Sequence, residues 1–176
     1  VEPELENTNT NEWTWTIKDL DKYVDNEEVT YSAKEVPVTG YTTTQNGNNF
    51  TNTLNRINVP VEKKWEDVDN CEGFRPTQIQ LQLVKGTDKT PVGQPVPVTA
   101  DGNGDWKYTF EDLPEYENRQ KIVYSVVETA VAHYNTKVER NETTGALTVT
   151  NSRTPEKVTV AVKKVWDDAD NQDGKR

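Results

Sequence analysis

The chain has one cysteine and one histidine in 176 residues, and that scarcity excludes several chemistries at once. With Cys71 alone, no disulfide framework can exist within the chain. His133 stands in a different segment, so no nucleophile–histidine pair is evident and Cys71 reads as a surface substitution. There is no metal-ligand cluster and no phosphate loop, so no metal and no cofactor is expected. An excess of base is missing too: 20 Lys+Arg stand against 30 Asp+Glu, for a net charge of -10 and a pI near 4.7. Nucleic acid needs a basic face and is excluded as a partner, as are anionic membrane surfaces. No apolar run approaches transmembrane length, so this segment is not expected to enter a membrane. No segment carries a convincing helical period.

What is present is repetition. Val61–Asp67 leads through Asp69 and Asn70 to Gly73 and Arg75, and Val162–Asp168 leads through Asp170 and Asn171 to Gly174 and Arg176. A second set overlaps the first out of phase. Trp13–Leu20 answers Trp106–Leu113, Tyr31–Glu35 answers Tyr124–Glu128, and Phe50–Asn52 answers Val149–Asn151. The period is roughly a hundred residues, the size of a small domain rather than of a solenoid unit. The division expected is the back part of one repeat over residues 1–56, a complete repeat over 57–154 and the start of a third over 155–176. The first piece lacks its front strands and is not expected to fold alone.

The pattern is all-β. Gln78–Leu83 alternates strictly, as a strand with one wet face should. The same period runs through Ile57, Val59 and Val61 into Lys63 and Trp65, through Ile122, Tyr124 and Val126 into Glu128, and through Leu147 and Val149 into Asn151. Short strands also fit Val92–Val98, Trp106–Phe110 and Thr136–Glu139. Turn signals separate them at Lys85–Asp88, Asp101–Gly104 and Thr143–Gly145. Arg153–Lys157 reads as a connector, with Asn55–Arg56 as its shorter counterpart. About seven short strands in a hundred residues make a β-sandwich.

Lys63, Glu128 and Asn151 each fall on the apolar phase of a strand. A sandwich interior rejects unpaired charge, because desolvation costs several kcal/mol per ion. The partial repeats agree: Glu35 follows Val29, Tyr31 and Ala33 in phase, Asn52 follows Phe50, and Lys164 follows Val160 and Val162. The repeat also chooses between adjacent lysines. Only the position two before tryptophan is lysine in both copies, which selects Lys63 and Lys164 and turns Lys64 and Lys163 outward. On strand phase alone, a buried Lys–Glu ion pair capped by Asn151 and a covalent use of the three residues both remain open.

Lys-x-Trp followed by Asp-Asn and Gly-x-Arg, then Tyr-Ser-x-x-Glu, then Thr-Asn near the end, resembles the B-type repeat of Gram-positive collagen adhesins, the CnaB domain. The resemblance covers essentially the whole chain. It implies tandem transthyretin-like β-sandwiches, one complete and two partial, in a cell-wall-attached surface protein of a Gram-positive bacterium. It further implies an intramolecular isopeptide bond between Lys63 and Asn151, assisted by Glu128, with Glu35, Asn52 and Lys164 in the equivalent places of the partial repeats. An apolar site favours neutral amine and neutral acid over the ion pair. The amine then attacks the Asn151 side-chain carbonyl while Glu128 polarises it and shuttles protons, and ammonia leaves. Such a reaction happens once per domain and is not enzyme turnover.

Other readings are weaker. The acidic loops Glu66–Asn70 and Asp167–Asn171 lack the register of an EF-hand and read as solvated turns. Trp13, Trp15 and Trp106 suggest a sugar platform, but Trp13 and Trp106 are repeat equivalents, which favours a packing or strand role. The function expected is a stalk segment that touches neighbouring repeats of the same protein, with a host matrix protein met through another domain. The rival is a module that itself binds a host matrix protein or glycan. A third reading, an accessory piece of a secreted polysaccharide-active enzyme, needs a catalytic domain elsewhere in the parent.

Overall fold

The computed structural model of the chain describes residues 4–8, 11–167 and 169–175. It divides into two compact units, Val1–Asn55 and Arg56–Arg176. Among the described residues every regular element is a β-strand.

The first unit consists of three antiparallel pairs. They are β1 (Glu4–Thr8) with β2 (Trp13–Thr16), β3 (Tyr23–Val24) with β4 (Glu27–Glu28), and β5 (Tyr41–Asn46) with β6 (Asn49–Leu54). Each pair is a separate two-stranded sheet, and Gly40 is the one buried residue over 11–55. Trp13 and Trp15 meet edge to face at 6.0 Å but stay 61% and 53% exposed. Their expected packing role is therefore confined here to one another.

The second unit carries the core. Its strands are β7 (Arg56–Glu66), β8 (Ile79–Lys85), β9 (Thr90–Pro91), β10 (Val96–Val98), β11 (Trp106–Pro114), β12 (Tyr116–Glu117), β13 (Gln120–Lys121), β14 (Tyr124–Glu128), β15 (Asn135–Arg140) and β16 (Leu147–Ser152). One sheet runs β11-β7-β16-β15, and the other runs β10-β8-β14 with β9 beside β8. Val59, Val61, Phe110, Leu147 and Val149 from the first sheet close on Ile79, Leu81, Leu83, Tyr124 and Val126 from the second. Burial alternates along β7, with Val59, Val61 and Lys63 inside and Asn58, Pro60, Glu62 and Lys64 outside. Each fully buried aliphatic side chain contributes on the order of 1.5–3 kcal/mol, so this alternation sets the register firmly.

The first and last strands of this unit, β7 and β16, are parallel neighbours inside one sheet. Val149 lies opposite Lys63 and Asn151 opposite Trp65. The second unit thus closes on its own first strand, which no local pattern announces.

Several boundaries differ from the sequence expectation. Val92–Val98 is not one strand: Gly93 is left-handed (φ +66°) and Pro95 follows, so pairing breaks into β9 and β10. Arg56 is not a connector residue but opens β7, and Ile122 precedes β14 rather than joining it. Residues 155–167 form no strand, although Val158, Val160 and Val162 alternate as one; their side chains are 78–89% exposed.

Local structure repeats even where the core does not. The Tyr31 hydroxyl donates to the Asp21 carbonyl at 2.8 Å, as the Tyr124 hydroxyl donates to that of Pro114 at 2.9 Å. Asp19 and Asp112 are both left-handed, at φ 58° and 53°. The turns at Asp25-Asn26 and Asn118-Arg119 carry two successive left-handed residues, the conformation that closes a tight hairpin. Val68-Asp69-Asn70 and Ala169-Asp170-Asn171 carry three each.

Candidate functional site

Among the described residues four polar ones are buried: Lys63 (5% exposed), Asp67 (4%), Glu128 (8%) and Asn151 (0%). Three of them are the ones strand phase selected. Lys63 projects inward from β7 and Asn151 from the adjacent β16, while Glu128 ends β14 in the facing sheet. The Lys63 Nζ lies 3.6 Å from Glu128 Oε1, with both side chains almost wholly shielded.

The amine has a particular hydrogen-bond environment. Nζ donates to the carbonyls of Lys64 at 3.1 Å and Val149 at 3.4 Å. A neutral amine has two N–H donors, so two carbonyls satisfy it and leave the lone pair free. Burial is the main force on its titration and pulls Lys63 down to about 8, against the opposing pull of Glu128. The Trp65 ring covers Nζ at 4.2 Å.

This titration has a sign that can be checked. The unfolded chain holds the Lys63 proton up to about 10.5, whereas the folded site releases it near 8. Between those values the unfolded state binds more protons, so stability rises with pH across that window. In an Asn151→Ala chain, which keeps the amine free, the gain from pH 8 to 10.5 should reach about 3 kcal/mol. Urea unfolding on both sides of the window, with Lys63→Met in the same background as control, measures it. A gain no larger than the control's would mean that Lys63 stays charged when folded.

Asp67 corrects the solvated-turn reading of its loop. Its carboxylate accepts from Arg75 Nη2 at 2.6 Å and Nε at 3.1 Å, from the Tyr134 hydroxyl at 2.8 Å and from the Asn70 amide at 3.0 Å. The Arg75 hydrogen bonds lead in holding it down to about 2. Burial, with Asp67 adding to it, pushes Tyr134 up to about 12. Both partners reach Trp65: Tyr134 meets the ring edge to face at 5.0 Å, and the Arg75 guanidinium lies 5.5 Å from it. The Asp67 cluster thus fixes the ring that roofs Lys63. Asp168 and Arg176, the counterparts of Asp67 and Arg75, lie outside the described residues.

Sequence reasoning missed one residue at the site. Thr136 on β15 stands directly across from Asn151, and its Oγ1 lies 2.9 Å from Glu128 Oε2 and 2.8 Å from Asn151 Oδ1. A signal existed. Thr43 has the same place in the first unit, where its Oγ1 lies 2.9 Å from Glu35 Oε2 and 2.6 Å from Asn52 Oδ1. Asn52 Nδ2 also donates to Glu35 Oε1 at 2.7 Å. The Glu-to-Thr spacing is 8 residues in both copies. Glu35 and Asn52 are thus brought together, though toward solvent. Lys164 lies on the exposed segment after β16, with Nζ 3.6 Å from the Trp166 ring, repeating the Lys63–Trp65 contact.

Residues 2–53 and 59–152 match the Cna protein B-type domain. The chain belongs to this family. It is 38% identical over 178 aligned positions to a collagen adhesin of Staphylococcus aureus, covering 98% of this chain and 14% of that protein. The crystal structure of two B repeat units of the collagen-binding protein of Staphylococcus aureus superposes with a TM-score of 0.61 at 39% identity, over 91% of this chain and 42% of the other. A single B repeat unit of the same protein gives 0.52 at 35% identity, over 79% and 73%. A B-type repeat is a non-enzymatic structural domain, all-β and sandwich-like, of an extracellular, cell-wall-attached Gram-positive surface protein.

Proposed function

We propose that the chain is a stalk segment of a Gram-positive adhesin, stiffened by a Lys63–Asn151 isopeptide bond whose formation Glu128 assists. The repeats are transthyretin-like sandwiches, one complete over 57–154 and partial ones over 1–56 and 155–176. They adjoin further repeats of the same protein, and a host matrix protein is met through another domain. The observation that carries this reading is the convergence of an amine, a carboxyl group and a carboxamide in a site closed to water. In the reaction Nζ attacks Cγ of Asn151, the Cγ–Nδ2 bond breaks, and Nδ2 departs with one amine proton as ammonia. Folding holds the partners together, which supplies much of the acceleration. The mechanical consequence follows from β7 and β16 lying side by side in parallel. A bond between them carries tension from first strand to last without stressing the strands between.

Intact mass tests the reading. The freshly folded chain should weigh one ammonia less than its sequence, and Lys63→Ala or Glu128→Ala should restore the full mass. A full wild-type mass would leave only an ion pair. Binding of the same chain to immobilised matrix proteins should be absent; specific binding would move adhesion into the repeat itself.

A further inference from the structure

We propose that Thr136 is a catalytic group in bond formation, relaying the Glu128 proton to the Asn151 carbonyl. The inference rests on the isopeptide reading above and goes beyond it in the identity and task of the residue. Its starting point is a count of protons. Thr136 Oγ1 is within hydrogen-bond distance of two oxygens, Glu128 Oε2 at 2.9 Å and Asn151 Oδ1 at 2.8 Å. A hydroxyl donates one proton. If Glu128 is a carboxylate, one of the two contacts sets lone pair against lone pair. If Glu128 is a carboxylic acid, both are satisfied: Oε2–H donates to Oγ1, and Oγ1–H donates to Oδ1.

The first unit repeats the arrangement with the amide facing the same way, its Oδ1 toward the threonine hydroxyl. Asn52 Nδ2 donates to Glu35 Oε1, so its Oδ1 is the atom on Thr43. Carboxyl group, hydroxyl and carboxamide there close a ring: Nδ2 meets Oε1, and Oγ1 meets both Oε2 and Oδ1. In the second unit Glu128 Oε1 and Asn151 Nδ2 are buried without a hydrogen-bond partner, and the Lys63 Nζ stands 3.6 Å from Oε1. The unused acceptor of the acid thus faces the nucleophile, and its proton faces Thr136, which touches the electrophile.

The relay gives a balanced sequence. As Nζ bonds to Cγ, negative charge grows on Oδ1; Thr136 gives it a proton and takes one from Glu128 Oε2. The resulting carboxylate accepts a proton from Nζ at Oε1 and passes it to Nδ2. The Cγ–Nδ2 bond breaks, ammonia leaves, and the Oδ1 proton returns through Thr136 to Glu128. One Nζ proton stays on the new amide, the other leaves on ammonia, and Glu128 and Thr136 end as they began.

Thr136 lies on β15, at the edge of its sheet, and is exposed apart from this hydroxyl contact, so substitution there leaves the core intact. The test follows newly made chain from a cell-free translation reaction, quenched in acid at intervals and weighed intact. Wild type should lose one ammonia. Thr136→Val keeps the shape without the hydroxyl and should react roughly a hundredfold more slowly, the scale of losing one donor to a developing oxyanion. Thr136→Ser keeps the hydroxyl without the methyl and should stay within about tenfold of wild type on the same scale. A packing role predicts the reverse order, with Val the better replacement. Circular dichroism checks that each variant is folded; should the valine variant fail, serine against alanine makes the same comparison. Valine reacting as fast as wild type, or serine as slowly as valine, would overturn the relay while leaving the bond in place. A wild type that never loses ammonia would instead remove the isopeptide reading, and the relay with it.

Discussion

Glu128→Ala should melt far below wild type and lose its resistance to protease. The proposed Lys63–Asn151 bond would close most of the domain into one loop, and by analogy with a disulfide of that span the entropic gain would be on the order of 4–5 kcal/mol. At roughly 4–8 °C per kcal/mol in a domain of this size, the melting temperature should fall by on the order of 20 °C. Reductant should not reproduce the loss, because the proposed bond is an amide. Removing Glu128 also strips Lys63 of its buried partner, so Lys63→Met/Glu128→Leu is the necessary control. That double variant lacks the bond but buries no charge, and it isolates the crosslink from the burial cost. Wild type and double variant melting together would show that the crosslink adds no stability.

The next largest effect belongs to Asp67. Replacing it with Ala leaves the Arg75 guanidinium without its carboxylate and removes the acceptor of the Tyr134 hydroxyl. Breaking a buried pair from one side costs about 3–5 kcal/mol. The same carboxylate contributes to acid sensitivity. Its folded value is about 2 against an ordinary 3.8, so its stabilisation is complete above 3.8 and is lost as pH falls through 2. That shift corresponds to roughly 2 kcal/mol. Urea midpoints at neutral pH and near pH 2 check both statements. Asp67→Asn should be destabilised at neutral pH and should lose less than wild type on acidification. An Asn variant as stable as wild type at neutral pH would show that the cluster over Trp65 is dispensable.

What local pattern can carry, it carried here. Period-two alternation in Ile57–Trp65 is enough to turn Lys63 inward, because a one-residue slip would expose Val59 and Val61. The repeat resolves Lys63 from Lys64 where alternation alone leaves two adjacent lysines. Left-handed turns recur at Asp25-Asn26 and Asn118-Arg119 because short polar stretches adopt them without tertiary help. Contacts across distant segments were not legible in this way. Asp67 reads as solvated among Glu66, Asp69 and Asn70, and it is buried through Arg75, 8 residues on, and Tyr134, 67 residues on. Thr136 shares the inward phase of Val138, but its meaning comes from standing across from Asn151 on β16. The first unit makes the same division visible. It keeps the Glu35–Thr43–Asn52 contacts and the Tyr31 hydrogen bond, since these span at most 17 residues. It has no core over 11–55, because a sandwich needs a facing sheet and alternation within a strand cannot provide one. Composition, period and strand phase therefore set the elements, the repeat and the three polar residues turned inward. The parallel seating of β7 against β16 and the closure of the second sheet over it depend on pairings 86 residues apart, and those bring the amine into a site shielded from solvent.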